Sequence, residues 1–140
     1  MKQGWEGRIT SSAEDTIELG NSLSQFIEPG DIITLGGNLA AGKTTFVKGI
    51  LLGLNFKFEV TSPTFTLINE YEAKHRVIHV DCYREDNLQR WVNLGIQDYF
   101  YSNDVKIIEW PEIISVLIPV DHIPITLTSI SEFERKIYIK

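Results

Sequence analysis

The sequence predicts an α/β fold, in which one domain spanning residues 1–140 has a mixed central sheet and flanking helices. Three observations support this prediction. The chain has 140 residues, which is the usual size of one domain. Its composition, 43% hydrophobic and 23% charged, is typical of a globular protein with its own core. Short apolar runs of strand length alternate with stretches in which apolar residues recur every three or four positions.

The first elements are an edge strand, a helix and a buried strand. Residues 5–10 predict a short edge strand. The helix is expected to begin at a capping box, Ser11 to Glu14, and to end at Pro29-Gly30. Residues 31–36 form a short apolar run, which indicates a buried strand. The apolar face of the helix is expected to contain Ala13, Ile17, Gly20, Leu23, Phe26 and Ile27.

The rest of the chain predicts two more helices and five more strands. The apolar stripe between Phe46 and Leu54 indicates a helix that follows a glycine-containing loop. Residues 64–72 and 76–83 have extended patterns and are close enough in sequence to form an antiparallel hairpin. The predicted elements after it are a polar helix over about 86–100, a buried strand over 105–109 before Pro111, and closing strands over 121–129 and 133–140. The mixture of helix-linked and hairpin-linked strands predicts a mixed sheet.

Charge and cysteine content limit the possible functions. Lys and Arg number 13 against 19 Asp and Glu, so the formal net charge is −6 and tight binding to nucleic acid by this chain alone is not expected. The single cysteine, Cys82, permits no internal disulfide and suits a reducing compartment. No apolar run is long enough for a membrane span and no apolar signal segment begins the chain, so we expect a cytoplasmic protein.

Residues 37–44, Gly-Asn-Leu-Ala-Ala-Gly-Lys-Thr, match the phosphate-binding pattern G-x-x-x-x-G-K-[ST] in full. The segment follows a predicted strand and opens a predicted helix, which is the context that the pattern requires. Gly42 permits a tight turn, and backbone N–H groups at the helix start attract phosphate. Lys43 offers a cation to the β- and γ-phosphates, and Thr44 offers a hydroxyl to Mg²⁺. The pattern predicts a P-loop.

Two strand-end acids, Asp81 and Glu109, are candidates for work on Mg²⁺ and water. We expect the strand of Glu109 to lie beside the P-loop strand, so Glu109 is the expected direct or water-bridged partner of Mg²⁺. Asp81 is expected further out, where it serves the attacking water or supports the metal indirectly. Ser62 and Thr64 flank a proline; this segment is either an ordinary turn or a source of a second hydroxyl for the metal or the γ-phosphate.

Three further residues near these acids have simpler interpretations. His79 alternates with Asp81 along one strand, which favours a structural histidine over a catalytic one. Cys82 is expected in the core. Trp110 follows Glu109 and fits equally well in the core or over the site.

Four motifs together resemble one family. They are L-A-A-G-K-T-T-F at 39–46, T-S-P-T-F-T-L at 61–67, H-V-D-C-Y-R at 79–84 and I-E-W-P-E at 108–112. In this order, over about residues 8 to 112, they resemble the TsaE (YjeE) family, small bacterial P-loop ATPases of threonylcarbamoyladenosine synthesis in tRNA. The P-loop is shared with many NTPases, whereas the S-P-T-F-T-L and E-W-P pieces are far more selective.

The resemblance implies a P-loop NTPase fold, binding and hydrolysis of Mg²⁺-ATP to ADP, and activity that is weak or dependent on partners. It implies as partners the threonylcarbamoyl transferase subunit, TsaD, and its noncatalytic paralogue, TsaB, with tRNA contacted only indirectly. By motif position it implies catalytic roles for Lys43 and Asp81 and Mg²⁺ binding by Thr44 and Glu109. The implied nucleotide-binding residues are Ala13 and Thr16 near the adenine, and Asn38, Leu39, Ala40, Ala41, Gly42, Lys43, Thr44, Thr45, Ser62, Thr64 and Trp110.

Two positions depart from the family pattern, because Asn38 stands where the family usually has Asp and Ala40 where it has Gly. If Ala40 takes a positive φ, it carries strain of about 1 kcal/mol, which would weaken nucleotide binding.

Two other functions remain open for a P-loop protein of this size. One is a small-molecule kinase, although no arginine-bearing lid is visible. The other is a nucleotide-dependent assembly module whose hydrolysis is incidental. A GTPase is disfavoured, because the chain lacks the guanine-reading motif Asn-Lys-x-Asp.

Overall fold

The computed structural model describes residues 1–38, 40–63 and 66–140, and these residues form a seven-stranded sheet with helices on both faces. The strands are β1 Arg8–Thr10, β2 Ile32–Gly36, β3 Ile68–Glu72, β4 Arg76–Asp81, β5 Val105–Glu109, β6 Ile123–Ser129 and β7 Arg135–Ile139. The α-helices are α1 Ala13–Ser24, α2 Lys43–Gly53, α3 Leu88–Asn93 and α4 Ile96–Phe100, and Pro111–Leu117 is a 3-10 helix.

The strand order is β1-β7-β6-β2-β5-β4-β3, with β2 in the centre. Strand β2 runs parallel to β5 and β6, and β5 runs parallel to β4. The pairs β3–β4, β6–β7 and β1–β7 are antiparallel. The predicted α/β fold with a mixed central sheet is therefore confirmed, and the carboxyl ends of β2, β4 and β5 meet at one edge, where ligands bind in such sheets.

Side chains alternate between the two faces along each strand, and each face carries its own apolar cluster. Ile33 and Ile107 point to the face covered by α1 and α2, where Phe46 is fully buried. Ile32 and Ile108 point to the other face, which α3, α4 and the 3-10 helix cover around Trp91. No helix in the described part of the chain has the length and apolar character needed to cross a bilayer.

Helices α1 and α2 pack with their backbones in direct contact, because glycines line the crossing. A Cβ atom built on Gly49 would lie 2.1 Å from the carbonyl oxygen of Ile17. A Cβ on Gly20 would lie 2.4 Å from the carbonyl oxygen of Phe46. This contact fixes α2, whose first residues belong to the P-loop, against the rest of the fold.

The start of α1 differs in detail from the prediction. The N-cap is Ser12 rather than Ser11, and its hydroxyl accepts a hydrogen bond of 3.0 Å from the backbone N–H of Asp15. The Asp15 carboxylate in turn accepts the backbone N–H of Ser11 at 2.9 Å. The helix therefore begins one residue later than predicted and without the reciprocal bond of a capping box among the described contacts, and Ala13, predicted on the apolar face, is exposed.

Other element bounds also differ from the prediction. The helix expected over 86–100 is divided into α3 and α4 by Gly95, whose φ of 76° is outside the helical region. Strand β3 begins at Ile68 rather than at 64; Thr64 and Phe65 lie outside the described residues. The 3-10 helix after β5 was not predicted, because Pro111 was interpreted only as a strand terminator.

Candidate functional site

A cleft of about 680 Å³ lies at the carboxyl ends of β2, β4 and β5. We call it the P-loop cleft. Its lining comes from residues far apart in sequence that the parallel strands bring to one edge. The lining residues are Ala40, Ala41, Gly42, Lys43, Thr44, Thr45, Ser62, Asp81, Tyr83, Arg84, Glu109, Trp110 and Arg135.

The loop between β2 and α2 has the conformation that its glycines permit. Gly42 caps α2 with a φ of 91°, and Gly37 has a φ of 135°. Ala40 also has a positive φ, 65°, so the strain expected at this position is present and costs about 1 kcal/mol. The turn is closed by the backbone N–H of Ala41, which donates to the Asn38 carbonyl at 3.1 Å.

Lys43 is buried at the base of the cleft, with 6% of the residue exposed. Its Nζ donates to the carbonyl oxygens of Gly37 and Asn38 and lies 3.9 Å from the ring centroid of Trp110. Burial lowers the pKa of Lys43, and the negative charges of the nearby acids, Glu109 first, oppose that shift. The ammonium group is therefore partly removed from water, a condition in which it attracts anions strongly.

Trp110 lines the cleft and also packs against the apolar cluster around Trp91, so it combines the two positions that the sequence left open. Its backbone is in the left-handed region with a φ of 55°, directly after β5. The indole contacts the Lys43 ammonium on one side, and the Tyr83 ring lies 4.9 Å away between centroids. These two aromatic rings form part of the wall of the cleft.

The two acids lie side by side at the ends of neighbouring strands. Glu109 is paired in register with Leu35 of β2 on one side and with Asp81 of β4 on the other. Glu109 is therefore one strand from the P-loop strand and Asp81 is two, as the sequence predicted. Both carboxyls are buried, with 3% and 4% of the residue exposed.

Each acid has a hydrogen bond that fixes its side chain. Oδ1 of Asp81 accepts the backbone N–H of Tyr83 at 2.9 Å. Oε2 of Glu109 lies 2.6 Å from Nε2 of His79.

The donor set of the cleft fits Mg²⁺. A threonine hydroxyl and one or two carboxylates are the protein ligands that Mg²⁺ takes when substrate phosphates and water supply the rest. Within the described residues, no three His, Cys, Asp or Glu side chains form a group that would hold a metal by themselves.

The residues expected near the adenine line a smaller cavity beside the P-loop cleft. This cavity, about 130 Å³, contains Ala13 and Thr16 and touches the P-loop at Gly42 and Thr45. Thr16 is buried, and its hydroxyl shares a hydrogen bond of 2.8 Å with that of Thr10.

The other predicted positions have the following places. Ser62 lines the P-loop cleft; Asn38 is exposed, and its carbonyl oxygen accepts a hydrogen bond from Nζ of Lys43 at 3.3 Å. Leu39 and Thr64 lie outside the described residues.

Sequence reasoning missed three lining residues, Tyr83, Arg84 and Arg135. Tyr83 and Arg84 belong to the H-V-D-C-Y-R motif, two and three residues after Asp81. This closeness in sequence could have indicated that they lie at the same site. Arg135 had no local signal, because it comes from β7, near the other end of the chain. Its Nη1 donates to the Ser131 and Glu134 carbonyls at 2.9 Å each, which holds the β6–β7 turn near the P-loop.

Comparisons with known proteins agree on one family. The family model described as "Threonylcarbamoyl adenosine biosynthesis protein TsaE" matches residues 10–137. A Treponema pallidum protein named tRNA threonylcarbamoyladenosine biosynthesis protein TsaE is 37% identical, covering 94% of this chain and 97% of its own. The protein of the same name from Bacillus subtilis is 36% identical, covering 91% and 80%. The crystal structure of Bacillus subtilis YdiB aligns with a TM-score of 0.81 at 31% identity, covering 98% of this chain and 87% of that one.

Proposed function

This chain belongs to the TsaE family, and from that premise we propose that it is the ATP-binding and ATP-hydrolysing component of tRNA threonylcarbamoyladenosine synthesis. The observation that carries the proposal is the convergence of Lys43, Thr44, Asp81 and Glu109 on one cleft at the carboxyl edge of the sheet. A phosphate-binding loop facing two buried carboxylates is the arrangement that phosphoryl-transfer chemistry requires.

The phosphates of the nucleotide bind at the start of α2. The first backbone N–H groups of a helix have no partner within the helix, and the helix dipole favours negative charge at this end. Lys43 exchanges its contacts with the Gly37 and Asn38 carbonyls for phosphate oxygens. Because the ammonium is already partly desolvated, this exchange gains more from a phosphate than an exposed lysine would.

Thr44 and Glu109 hold Mg²⁺ together with the phosphates. A Mg²⁺ ion held by these two residues would supply positive charge beside the phosphates. Glu109 is suited to this position because its strand neighbours β2 and its carboxyl lines the same cleft as the Thr44 hydroxyl.

Asp81 orients the attacking water or supports the metal from further out. Its hydrogen bond from the Tyr83 backbone holds the carboxyl at the end of β4, one strand beyond Glu109. The adenine lies in the cavity that contains Ala13 and Thr16, beside Gly42. The absence of a guanine-reading Asn-Lys-x-Asp segment in the sequence favours adenine over guanine.

The partners are the threonylcarbamoyl transferase subunit, TsaD, and its noncatalytic paralogue, TsaB. ATP hydrolysis by this chain supports repeated turnover of their complex, and tRNA is contacted only indirectly, which suits the net charge of −6. The hydrolysis rate of the isolated chain is low and rises with the partners present.

The test is formation of threonylcarbamoyladenosine by the transferase pair over many turnovers. We expect the Lys43→Ala variant to stop formation after the first turnover and to lower ATP hydrolysis by orders of magnitude. Lys48→Ala is the matched control, because Lys48 is an exposed lysine of the same helix. A Lys43→Ala variant with wild-type turnover and an unchanged circular dichroism spectrum would contradict the proposal.

The roles of Glu109 and Asp81 are distinguished by measuring nucleotide binding at increasing Mg²⁺ concentration. We expect Glu109→Gln to raise the Mg²⁺ concentration required and Asp81→Asn to leave binding unchanged while lowering turnover. The reverse pattern would exchange their roles.

A further inference from the structure

His79 is a fully buried side chain of β4 that contacts Glu109. Its Nε2 lies 2.6 Å from Oε2 of Glu109, and the exposed fraction of the histidine is 0%. In the sheet register His79 is paired with Ile107 of β5. Glu109 is the next residue of β5 on the same face, so the ring reaches it diagonally. The ring also lies 6.4 Å, between centroids, from the ring of Tyr71 on β3.

We infer that His79 is a positioning residue that holds the Glu109 carboxylate in the orientation needed for Mg²⁺. This inference rests on the proposed role of Glu109 as the Mg²⁺ partner. A glutamate at a strand end has three rotatable bonds, and one hydrogen bond from a rigid, buried ring restricts them. With Oε2 occupied by His79, Oε1 is the oxygen left for the cleft.

The environment of the ring assigns its proton. The Nδ1 atom of His79 has no hydrogen-bond partner among residues 1–38, 40–63 and 66–140. An N–H at that buried position would lack an acceptor, whereas an unprotonated nitrogen there leaves only a lone pair. With its proton on Nε2, the ring donates to the Glu109 carboxylate, which satisfies both groups at the contact.

The effect on metal affinity of a residue that orients a metal-binding group by a hydrogen bond has a typical magnitude. Loss of such a partner typically lowers metal affinity by about 10- to 100-fold. For this chain the loss applies only to binding that includes Mg²⁺, because the phosphate contacts of Lys43 and the P-loop backbone do not involve His79.

The test is the ratio of the ADP dissociation constants in EDTA and in Mg²⁺, measured by isothermal titration on the full chain. His79→Gln and His79→Asn form a matched pair of amides. The glutamine N–H₂ extends about as far as the imidazole Nε2, whereas that of asparagine ends one bond short. We expect the glutamine variant to keep a ratio near wild type and the asparagine variant to lower it about tenfold, with the EDTA affinity unchanged in both.

Two further variants separate the possible failures. Val77→Ala removes buried volume on the same face of β4 without touching Glu109, so it lowers the melting temperature and leaves the ratio unchanged. Equal ratios in the two amide variants, with Glu109→Gln lowering the ratio, would overturn the role of His79 alone. An unchanged ratio in Glu109→Gln would overturn the proposed role of Glu109 and the inference with it.

A measurement on the wild-type chain requires no variant to fold. The ¹⁵N spectrum of the His79 ring is expected to show a protonated Nε2 and an unprotonated Nδ1. A proton on Nδ1 with Nε2 unprotonated would contradict the hydrogen bond on which the inference depends.

Discussion

Replacement of Gly49 by alanine is expected to destabilise the fold, although alanine is the better helix former. A Cβ at this position would lie 2.1 Å from the carbonyl oxygen of Ile17 and 2.9 Å from its Cα. Both atoms belong to the backbone of α1, so no side-chain rotation relieves the contact. The two helices must move apart by about 1 Å to restore an ordinary contact.

Two opposing effects determine the size of the change. Exchange of Gly for Ala inside a helix favours folding by about 1 kcal/mol. Overpacking against a rigid neighbour costs about 1–3 kcal/mol, and contact with backbone belongs at the upper end of that range. The net loss in the free energy of unfolding is therefore about 2 kcal/mol. For a chain of this size, that loss lowers the melting temperature by roughly 6–8 °C.

Urea unfolding followed by circular dichroism measures the loss. We expect the midpoint to fall while the dependence on urea concentration keeps its slope. Gly36→Ala is the matched control, because a Cβ there has no neighbour closer than 3.9 Å and the change is expected within about 0.5 kcal/mol of zero. A Gly49→Ala protein as stable as wild type, or more stable, would refute the close packing of α1 on α2.

Two other predictions concern titratable groups. The guanidinium of Arg8, and then the backbone N–H of Ser11, lower the pKa of Asp15 from 3.8 to about 2. This depressed pKa stabilises the fold fully above pH 3.8, and the effect is lost as the pH falls through 2. Urea unfolding should show that Asp15→Asn is less stable than wild type by about 1 kcal/mol at pH 7. We expect this difference to shrink from pH 4 to pH 2, and a difference independent of pH would be inconsistent with this account. Burial, followed by the charges of nearby carboxylates, raises the pKa of Cys82 to about 12. A thiol reagent at pH 8 should therefore label Cys82 in urea and not in the native protein. Labelling of the native protein at the rate of a free thiol would disprove the burial.

The features that sequence reasoning predicted depend on local signals. The pattern 37–44 is contiguous, and its strand before and helix after are visible as apolar periodicities. The position of Glu109 beside β2 followed from the apolar character of 105–109, since a strand buried on both faces belongs near the centre of a parallel sheet.

The features that it missed depend on contacts between residues distant in sequence. Lys106 stands between apolar residues of β5 and is fully buried. Its Nζ donates to the carbonyls of Ser102, at 2.8 Å, and Gly30, at 3.1 Å, the latter 76 residues away. His79 was predicted to be a satisfied structural histidine; it is fully buried, but its Nδ1 has no hydrogen-bond partner in the described residues and its Nε2 meets Glu109, 30 residues away. Such pairings are set by strand order, which apolar patterns do not specify.

Titration of the wild-type chain with Mg²⁺-ATP and Mg²⁺-GTP tests the central claim most directly. The claim is that the P-loop cleft binds the phosphates of an adenine nucleotide, with the base beside Ala13 and Thr16. Isothermal titration should give clear binding of ATP and much weaker binding of GTP. Equal affinities for the two nucleotides, or no heat of binding with either, would contradict the claim.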